Sequence, residues 1–422
     1  MLSIFDLATL LLTLSAVFGW INVRWLRLPH TIGLLLIGLG SSLVLLAAER
    51  ILPHFEVTSS LQAAVGQIDF HETIMNGLLA FLLFAGALHV DFNKMKDQKW
   101  AITFMATAGV VISTLVIGVG LWLVAGLIGV PVPLPWALVF GALISPTDPV
   151  AVMSLLKTVD VPESLKVRIA GESLFNDGVA VVAFSLLVAV AVAAGTPDPA
   201  DLSLWHIAEL FLYEGGGGVL FGYLCGFVAV RLMASIDDHV VEVLISLAVC
   251  ALTYAISLRL HISGPIAVVV AGLLIGNRGA RMAMSERVRA YVFAFWEVVD
   301  EVLNSVLFLL IGLEVLVLSF DLSHAWLMLV AIPIVLAGRL VSVGSPLLFR
   351  PVRNSFAPGV IPVMTWGGLR GGVSVALALS LPASDYKDEV LAATYAVVIF
   401  TIVVQGLTVK YVIRRWFAPE LL

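Results

Sequence analysis

Apolar runs long enough to cross a membrane follow one another along almost the whole chain. A transmembrane helix needs about 20 apolar residues, because the hydrocarbon core is about 30 Å thick and each residue adds about 1.5 Å. Only 12% of the 422 residues are charged and 60% are hydrophobic, whereas water-soluble domains carry about 25% charged residues. The sequence therefore predicts an all-α membrane protein, one transmembrane unit over 1–422 with thirteen spans. These lie near 2–21, 29–47, 73–90, 101–127, 136–156, 169–194, 206–232, 239–258, 262–277, 296–318, 325–345, 357–381 and 388–410.

The same composition argues against several classes of protein. The net charge of -6 is spread over short loops and gives no support for nucleic-acid binding. Membrane lipid is the partner that the apolar spans predict. Cys225 and Cys250 lie within apolar runs, which does not predict a disulfide framework. No basic residue precedes Arg24, so the first run is expected to stay as a helix rather than act as a cleaved signal peptide. The longest loop, about 48–72, is too short for a soluble regulatory domain.

The positions of Lys and Arg predict the orientation. Most of the 23 basic residues fall in alternate loops, and cytoplasmic loops carry the excess of Lys and Arg. The N-terminus is therefore predicted outside and the C-terminus in the cytoplasm. The loops assigned to the cytoplasm hold Arg24, Arg27, Lys94, Lys96, Lys99, Lys157, Lys166, Arg168, Arg231, Arg278, Arg281, Arg287, Arg289, Arg350, Arg353, Lys410, Arg414 and Arg415.

Two of the predicted spans contain helix-breaking sequences. The fifth has Ser-Pro-Thr-Asp-Pro at 145–149, where prolines remove backbone donors, and the twelfth has Trp-Gly-Gly-Leu-Arg-Gly-Gly at 366–372. Each break lies in the middle of a three-helix unit, and the two units enter the membrane from opposite sides. This is typical of inverted repeats with two crossing broken helices, whose half-helix ends line an ion site at the midplane.

A polar stretch at 171–178, Gly-Glu-Ser-Leu-Phe-Asn-Asp-Gly, lies inside the sixth apolar run. A carboxylate at the bilayer centre costs about 2.5–3.5 kcal/mol and usually has a function. Counting along the helices puts Asp177 and Asp148 at the same depth. Ser173 and Asp177 share a helix face, and together with Thr147 they could offer oxygens to a hard monovalent cation such as Na⁺, completed by Asp148 or freed carbonyls.

A charge count assigns roles to the buried ionisable groups. Asp148, Glu172 and Asp177 face only Arg339 and Arg370 within the two repeats, which leaves one negative charge. Glu172 and Arg339 both lie in the cytoplasmic half and are predicted to form a structural ion pair. Arg370 is predicted to compensate charge at the broken helices. Asp177 is then the carboxylate at which a proton and a metal ion compete.

Several alternatives stay open at this point. Asn176 either makes an interhelical hydrogen bond or shapes the site indirectly, and Asp148 either binds the ion or compensates half-helix dipoles. The polar helices also fit an ion channel. An intramembrane aspartyl protease would need a Gly-x-Gly-Asp pattern, which this sequence lacks, and residues 171–175 do not form a nucleophile elbow. An enzyme is therefore not predicted. The sequence has no His or Cys cluster of the kind that binds zinc or copper, so no cofactor is predicted.

The motifs at 145–149, 171–177 and 367–372 resemble those of the NhaP-type sodium/proton exchangers, over nearly the whole chain. The resemblance implies the NhaA-like antiporter fold and a homodimer. Its ion-transport core would span approximately 73–194 and 325–410 and would move like an elevator against a dimerisation scaffold at approximately 2–47 and 206–318. It also implies Na⁺ (or Li⁺) exchange for H⁺ in a multi-pass bacterial inner-membrane protein that serves pH homeostasis, with K⁺/H⁺ antiport as the alternative.

The resemblance also assigns site residues. The family's ion-binding aspartate falls on Asp177 and the preceding asparagine on Asn176, a pair associated with electroneutral one-for-one exchange. Thr147, Asp148 and Ser173 match the other site positions, and Glu172 with Arg339 matches the ion pair between core helices. One departure is Ala85, which stands where several relatives carry a glutamate.

Overall fold

The computed structural model describes residues 4–51, 78–130, 132–148, 152–153, 156, 161–194, 204–316, 325–348 and 358–417. Within these ranges every regular element is a helix and no strand occurs. The predicted all-α class is therefore confirmed. Residues 73–77 of the predicted third run and position 149 of the first break lie outside the described residues.

The N-terminal half supplies seven of the helices described here, numbered in chain order. A π-helical segment, Asn22–Leu26, continues the first helix. The bounds are α1 Ile4–Ile21, α2 His30–Ile51, α3 Leu79–His89, α4 Phe92–Ala106, α5 Ala108–Leu127, α6 Leu134–Ile144 and α7 Glu163–Ala193.

The C-terminal half continues the numbering from α8 to α16. Two π-helical segments occur, Ile275–Gly279 after α10 and Thr401–Gln405 between α15 and α16. The bounds are α8 Leu204–Met233, α9 His239–Arg259, α10 Gly264–Leu274, α11 Glu286–Glu314, α12 Ala325–Gly344, α13 Val360–Trp366, α14 Gly372–Leu379, α15 Lys387–Phe400 and α16 Gly406–Phe417.

Eight helical segments of the described ranges are long and apolar enough to cross a membrane. Shorter apolar helices have local reasons to be short. α6 ends where Pro146 follows, and α13 and α14 are separated by the glycine-rich break. α11 has 29 residues, but its first half is rich in charged side chains. The predicted number of thirteen spans stays a prediction.

Side-chain caps define where α9 and α11 begin. The Asp238 carboxylate accepts hydrogen bonds from the backbone N–H groups of Val240 and Val241 at 2.9 and 3.1 Å, which satisfies donors that a helix N-terminus leaves unpaired. The N–H of Val241, followed by that of Val240, lowers the pKa of Asp238, so the cap stays charged at neutral pH. Ser285 accepts from Val288 N–H in the same way and starts α11 at Glu286.

The helix that leads to the first break packs closely against its neighbour. A Cβ atom at Gly141 on α6 would collide with the backbone carbonyl of Thr114 on α5. The glycine lets the two helix backbones touch, as small residues do at membrane helix interfaces. The end of α6 is thereby fixed in position before the chain leaves the helix.

Candidate functional site

The first predicted helix break is present at the end of α6. The helix stops at Ile144, and 145–148 have no helical structure. Pro146 removes a backbone donor there, so carbonyl groups near the break need other partners. The carbonyls of Ser145 and Pro146 both accept hydrogen bonds from Nη1 of Arg370, at 2.6 and 2.8 Å.

The second break separates α13 from α14 at 367–371. It meets the first break through the backbone, because the N–H of Asp148 donates to the carbonyl of Leu369 at 2.8 Å. The N–H of Arg370 donates to Oγ1 of Thr401 at 3.2 Å. The two interrupted segments therefore satisfy part of each other's freed backbone groups, as irregular backbone inside a membrane requires.

Arg370 belongs to the second break, and its side chain extends to the first. The residue is only 1% exposed. Its Nη1 binds the first break, but Nε and Nη2 have no hydrogen-bond partner among the described residues. A guanidinium keeps its positive charge, so this group provides a fixed charge beside two half-helix ends. Charge compensation at the breaks, the role predicted for Arg370, stays a prediction.

The polar stretch of the sixth run lies within α7, which is continuous from Glu163 to Ala193. Oγ of Ser173 is 3.0 Å from Oγ1 of Thr147 in the first break. Nδ2 of Asn176 donates to the same Thr147 oxygen at 2.9 Å, while Oδ1 of Asn176 has no hydrogen-bond partner in the part of the chain that the structure describes. Asp177 follows one turn after Ser173 on the same face and is 9% exposed. The structure thus joins α7 to the first break through Thr147.

Glu172 and Arg339 contact each other directly. Nη1 of Arg339 binds Oε1 of Glu172, and Nη2 donates to Oε2 at 3.0 Å. Nε of Arg339 also donates to the carbonyl of Met364 at 3.2 Å. The side chains are 2% and 7% exposed, so this is a buried bidentate pair that links α7, α12 and α13.

A cavity of about 290 Å³ connects most of the predicted site residues. Thr147, Asp148, Ser173 and Asp177 all line it. Asn176 is not among the lining residues. It donates a hydrogen bond to Thr147, which does line the cavity. Asp148 in the first break and Asp177 on α7 thus line one space, which agrees with the equal depth predicted by counting along the helices.

Gly371 lets the second break approach this cavity closely. A Cβ atom at this position would collide with the Asp148 carboxylate, so Gly371→Ala is expected to displace Asp148 and reduce any transport severalfold or more. Gly216→Ala is the matched control, because Gly216 is exposed on α8 and a Cβ there would meet no atom within 4 Å. Initial transport rates of purified variants check this. Equal rates for both variants would contradict the assigned contact.

The structure also adds residues to the cavity that the sequence analysis does not predict. Asp300, Glu301 and Asn304 of α11 line it, as does Ser374 of α14. The spacing of Asp300 and Asn304, four residues apart on one helix face, is the signal that could have identified a polar wall. Ala85 is fully buried and is not among the lining residues.

Comparisons with known proteins give the family of this chain. A family model described as sodium/hydrogen exchanger, transmembrane, matches residues 12–415. The chain is 43% identical to the Na(+)/H(+) antiporter NhaP of Pseudomonas aeruginosa over 420 residues, which covers 98% of this chain and 97% of that protein. It is 35% identical to the Na(+)/H(+) antiporter NhaH of Halobacillus dabanensis, over 93% of each. The structure of the sodium proton antiporter MjNhaP1 from Methanocaldococcus jannaschii matches with a TM-score of 0.72 at 19% identity, over 96% of both chains.

The fold and the site define a multi-pass membrane transporter in which two interrupted helices meet beside buried carboxylates. The chain belongs to the sodium/hydrogen exchanger family. The family resemblance expected from the three motifs is therefore confirmed.

Proposed function

We propose that this protein is a secondary antiporter that exchanges Na⁺ (or Li⁺) for H⁺ and that Asp177 carries both. The observation that carries the proposal is the cavity in which Asp177, Ser173 and Thr147 lie together beside a helix break. The family and the names of the relatives support the same exchange. Na⁺ is the cargo in this proposal, and no resident cofactor takes part.

The chemistry follows from one carboxylate with two alternative occupants. A hard monovalent cation prefers carboxylate, hydroxyl and carbonyl oxygens, and Asp177, Ser173 and Thr147 supply the first two kinds. When the cation leaves, a proton neutralises Asp177, because a bare charge is costly to move through a low-dielectric barrier. One site that must be filled by either ion couples the two flows.

The neighbouring residues have supporting roles in this proposal. Asn176 fixes Thr147 through its side-chain hydrogen bond. Asp148 either completes the cation shell or balances the half-helix ends, together with Arg370. The Glu172–Arg339 pair stabilises the core and leaves Asp177 as the carboxylate that titrates with transport.

The finer architecture is part of the same proposal. Thirteen spans, inverted repeats, an outside N-terminus and a cytoplasmic C-terminus agree with the distribution of basic residues. A core at approximately 73–194 and 325–410 would move against a scaffold at approximately 2–47 and 206–318 in a homodimer. The likeness in fold to an archaeal antiporter supports the overall architecture. A bacterial inner membrane is the proposed location, with pH homeostasis as the role.

Transport by purified protein in liposomes tests the function. With an imposed pH gradient, addition of Na⁺ or Li⁺ is expected to dissipate the gradient, and a clamped membrane potential should not change the rate if exchange is one-for-one. A response to K⁺ alone would replace Na⁺ as the cargo. Electrical conductance without counter-flow of protons would instead identify a channel and contradict the proposal.

A further inference from the structure

The cavity that contains the proposed ion site has a second acidic wall. Asp300 and Glu301 of α11 line the same space as Asp148 and Asp177 of the first wall. No Lys or Arg belongs to the lining within the part of the chain that the structure describes. A cavity lined by charges of one sign concentrates ions of the opposite sign, so a cation entering it meets α11 as well as α7.

Asn304 holds Asp300 in a defined orientation. Its Nδ2 donates to the carbonyl of Asp300 at 2.9 Å and to Oδ1 of the same residue at 3.1 Å. Asn304 is 2% exposed and itself lines the cavity. The carboxylate of Asp300 is therefore positioned by a buried neighbour, whereas a solvated surface acid moves freely.

An independent observation on α14 points to a ligand in the cavity. Ser374, in the first turn of α14, is 1% exposed and lines the cavity, and its hydroxyl has no hydrogen-bond partner within the described ranges. α14 lies against α11 here, because a Cβ at Gly372 would collide with the side chain of Leu307. A buried hydroxyl without a partner costs free energy unless something in the cavity binds it.

We propose that Asp300, with Asn304 and Ser374, forms a second binding site for the transported cation within the cavity. This inference rests on the proposed function. A carboxylate, an amide and a hydroxyl are oxygen donors of the kind that hard monovalent cations prefer. The cation is held at Asp300 before it reaches Asp177, and it returns the same way.

The position of the second site indicates that ions reach it from only one side of the membrane. His89 and Val90, at the end of α3, line the same cavity, and α4 begins at Phe92 directly after them with Lys94, a residue predicted to be cytoplasmic. Asp300 belongs to the scaffold, whereas Asp177 belongs to the core that moves. The second site therefore serves ions that enter from the cytoplasm and does not contribute when the core faces outward.

The test compares Asp300→Asn with Glu297→Gln in liposomes of known protein orientation. Both variants remove one negative charge from α11, but Glu297 is exposed and is not among the residues that line the cavity. Asp300→Asn is expected to raise the KM for Na⁺ supplied at the cytoplasmic face by about 3- to 10-fold. The KM at the outer face and the maximal rate should stay within about twofold, and Glu297→Gln should change neither KM.

Other outcomes overturn the inference. An unchanged KM, an equal change at both faces, or the same change in Glu297→Gln would each show that Asp300 is not a one-sided site. Ser374→Ala removes a single hydroxyl and is expected to raise the same cytoplasmic KM, which keeps the test valid if Asp300→Asn does not fold. If the unaltered protein exchanges Na⁺ normally while these variants behave like it, only this inference fails. Absence of exchange in the unaltered protein contradicts the proposed function itself.

Discussion

Asp177→Asn is expected to reduce Na⁺/H⁺ exchange to background. The substitution keeps the size of the side chain but removes both the negative charge that binds the cation and the group that carries the proton. A loss of about 3 kcal/mol in cation binding corresponds to roughly 100-fold in affinity, and the loss of the proton carrier abolishes coupling as well. Dissipation of a pH gradient in liposomes on addition of Na⁺ measures the effect.

Glu163→Gln is the matched control for this experiment. Glu163 is an acid on the same helix, but it forms a salt bridge with Lys94 in which the two side chains are 58% and 53% exposed. It does not line the cavity, so normal exchange is expected. Normal exchange by Asp177→Asn, at unchanged protein stability, would contradict the central role of Asp177.

Arg339→Ala is expected to destabilise the protein by about 3–5 kcal/mol, because it leaves the Glu172 carboxylate buried without its partner. Glu172 is only 2% exposed in the pair. The double variant Glu172→Gln with Arg339→Met should be less destabilised than Arg339→Ala, since no lone charge remains buried. The melting temperature of the purified protein in detergent measures both.

The exposed pair provides the contrast for this second prediction. Glu163→Gln breaks the Lys94–Glu163 contact at the surface, where ion pairs contribute little to stability. Its melting temperature should equal that of the unaltered protein. If Arg339→Ala melted at that temperature too, the pair would not be a structural element of the core.

Much of the site could be predicted because its signals are local. Pro146 and the glycines at 367–372 interrupt helices whatever surrounds them, and both interruptions occur in the structure. The contact between Glu172 and Arg339 follows from a charge count, because charges rarely remain alone inside a membrane. These predictions needed the residue types and their order but no knowledge of the packing.

The second wall of the cavity could not be predicted in this way. The apolar run that marks α11 begins near 296, which puts Asp300 close to a cytoplasmic helix end. The helix in fact begins at Glu286, capped by Ser285, so Asp300 lies about 21 Å along it at 1.5 Å per residue. Charged side chains in the first turns of α11 conceal the start of the helix in a hydropathy pattern, and only packing brings Asp300 into the cavity that Asp177 lines.

The hydrogen bonds between the two breaks also determine when the site can form during biosynthesis. The freed carbonyls of Ser145 and Pro146 receive their donor from Arg370, which lies 225 and 224 residues later in the chain. At about 5–20 residues per second, the ribosome needs roughly 10–45 s to make that stretch. During this interval the helices around the first break have been made, but the break lacks this donor. The chain around Arg370 therefore completes the folding of a helix break made long before it, and a chain that stops short of Arg370 leaves its first break without this donor.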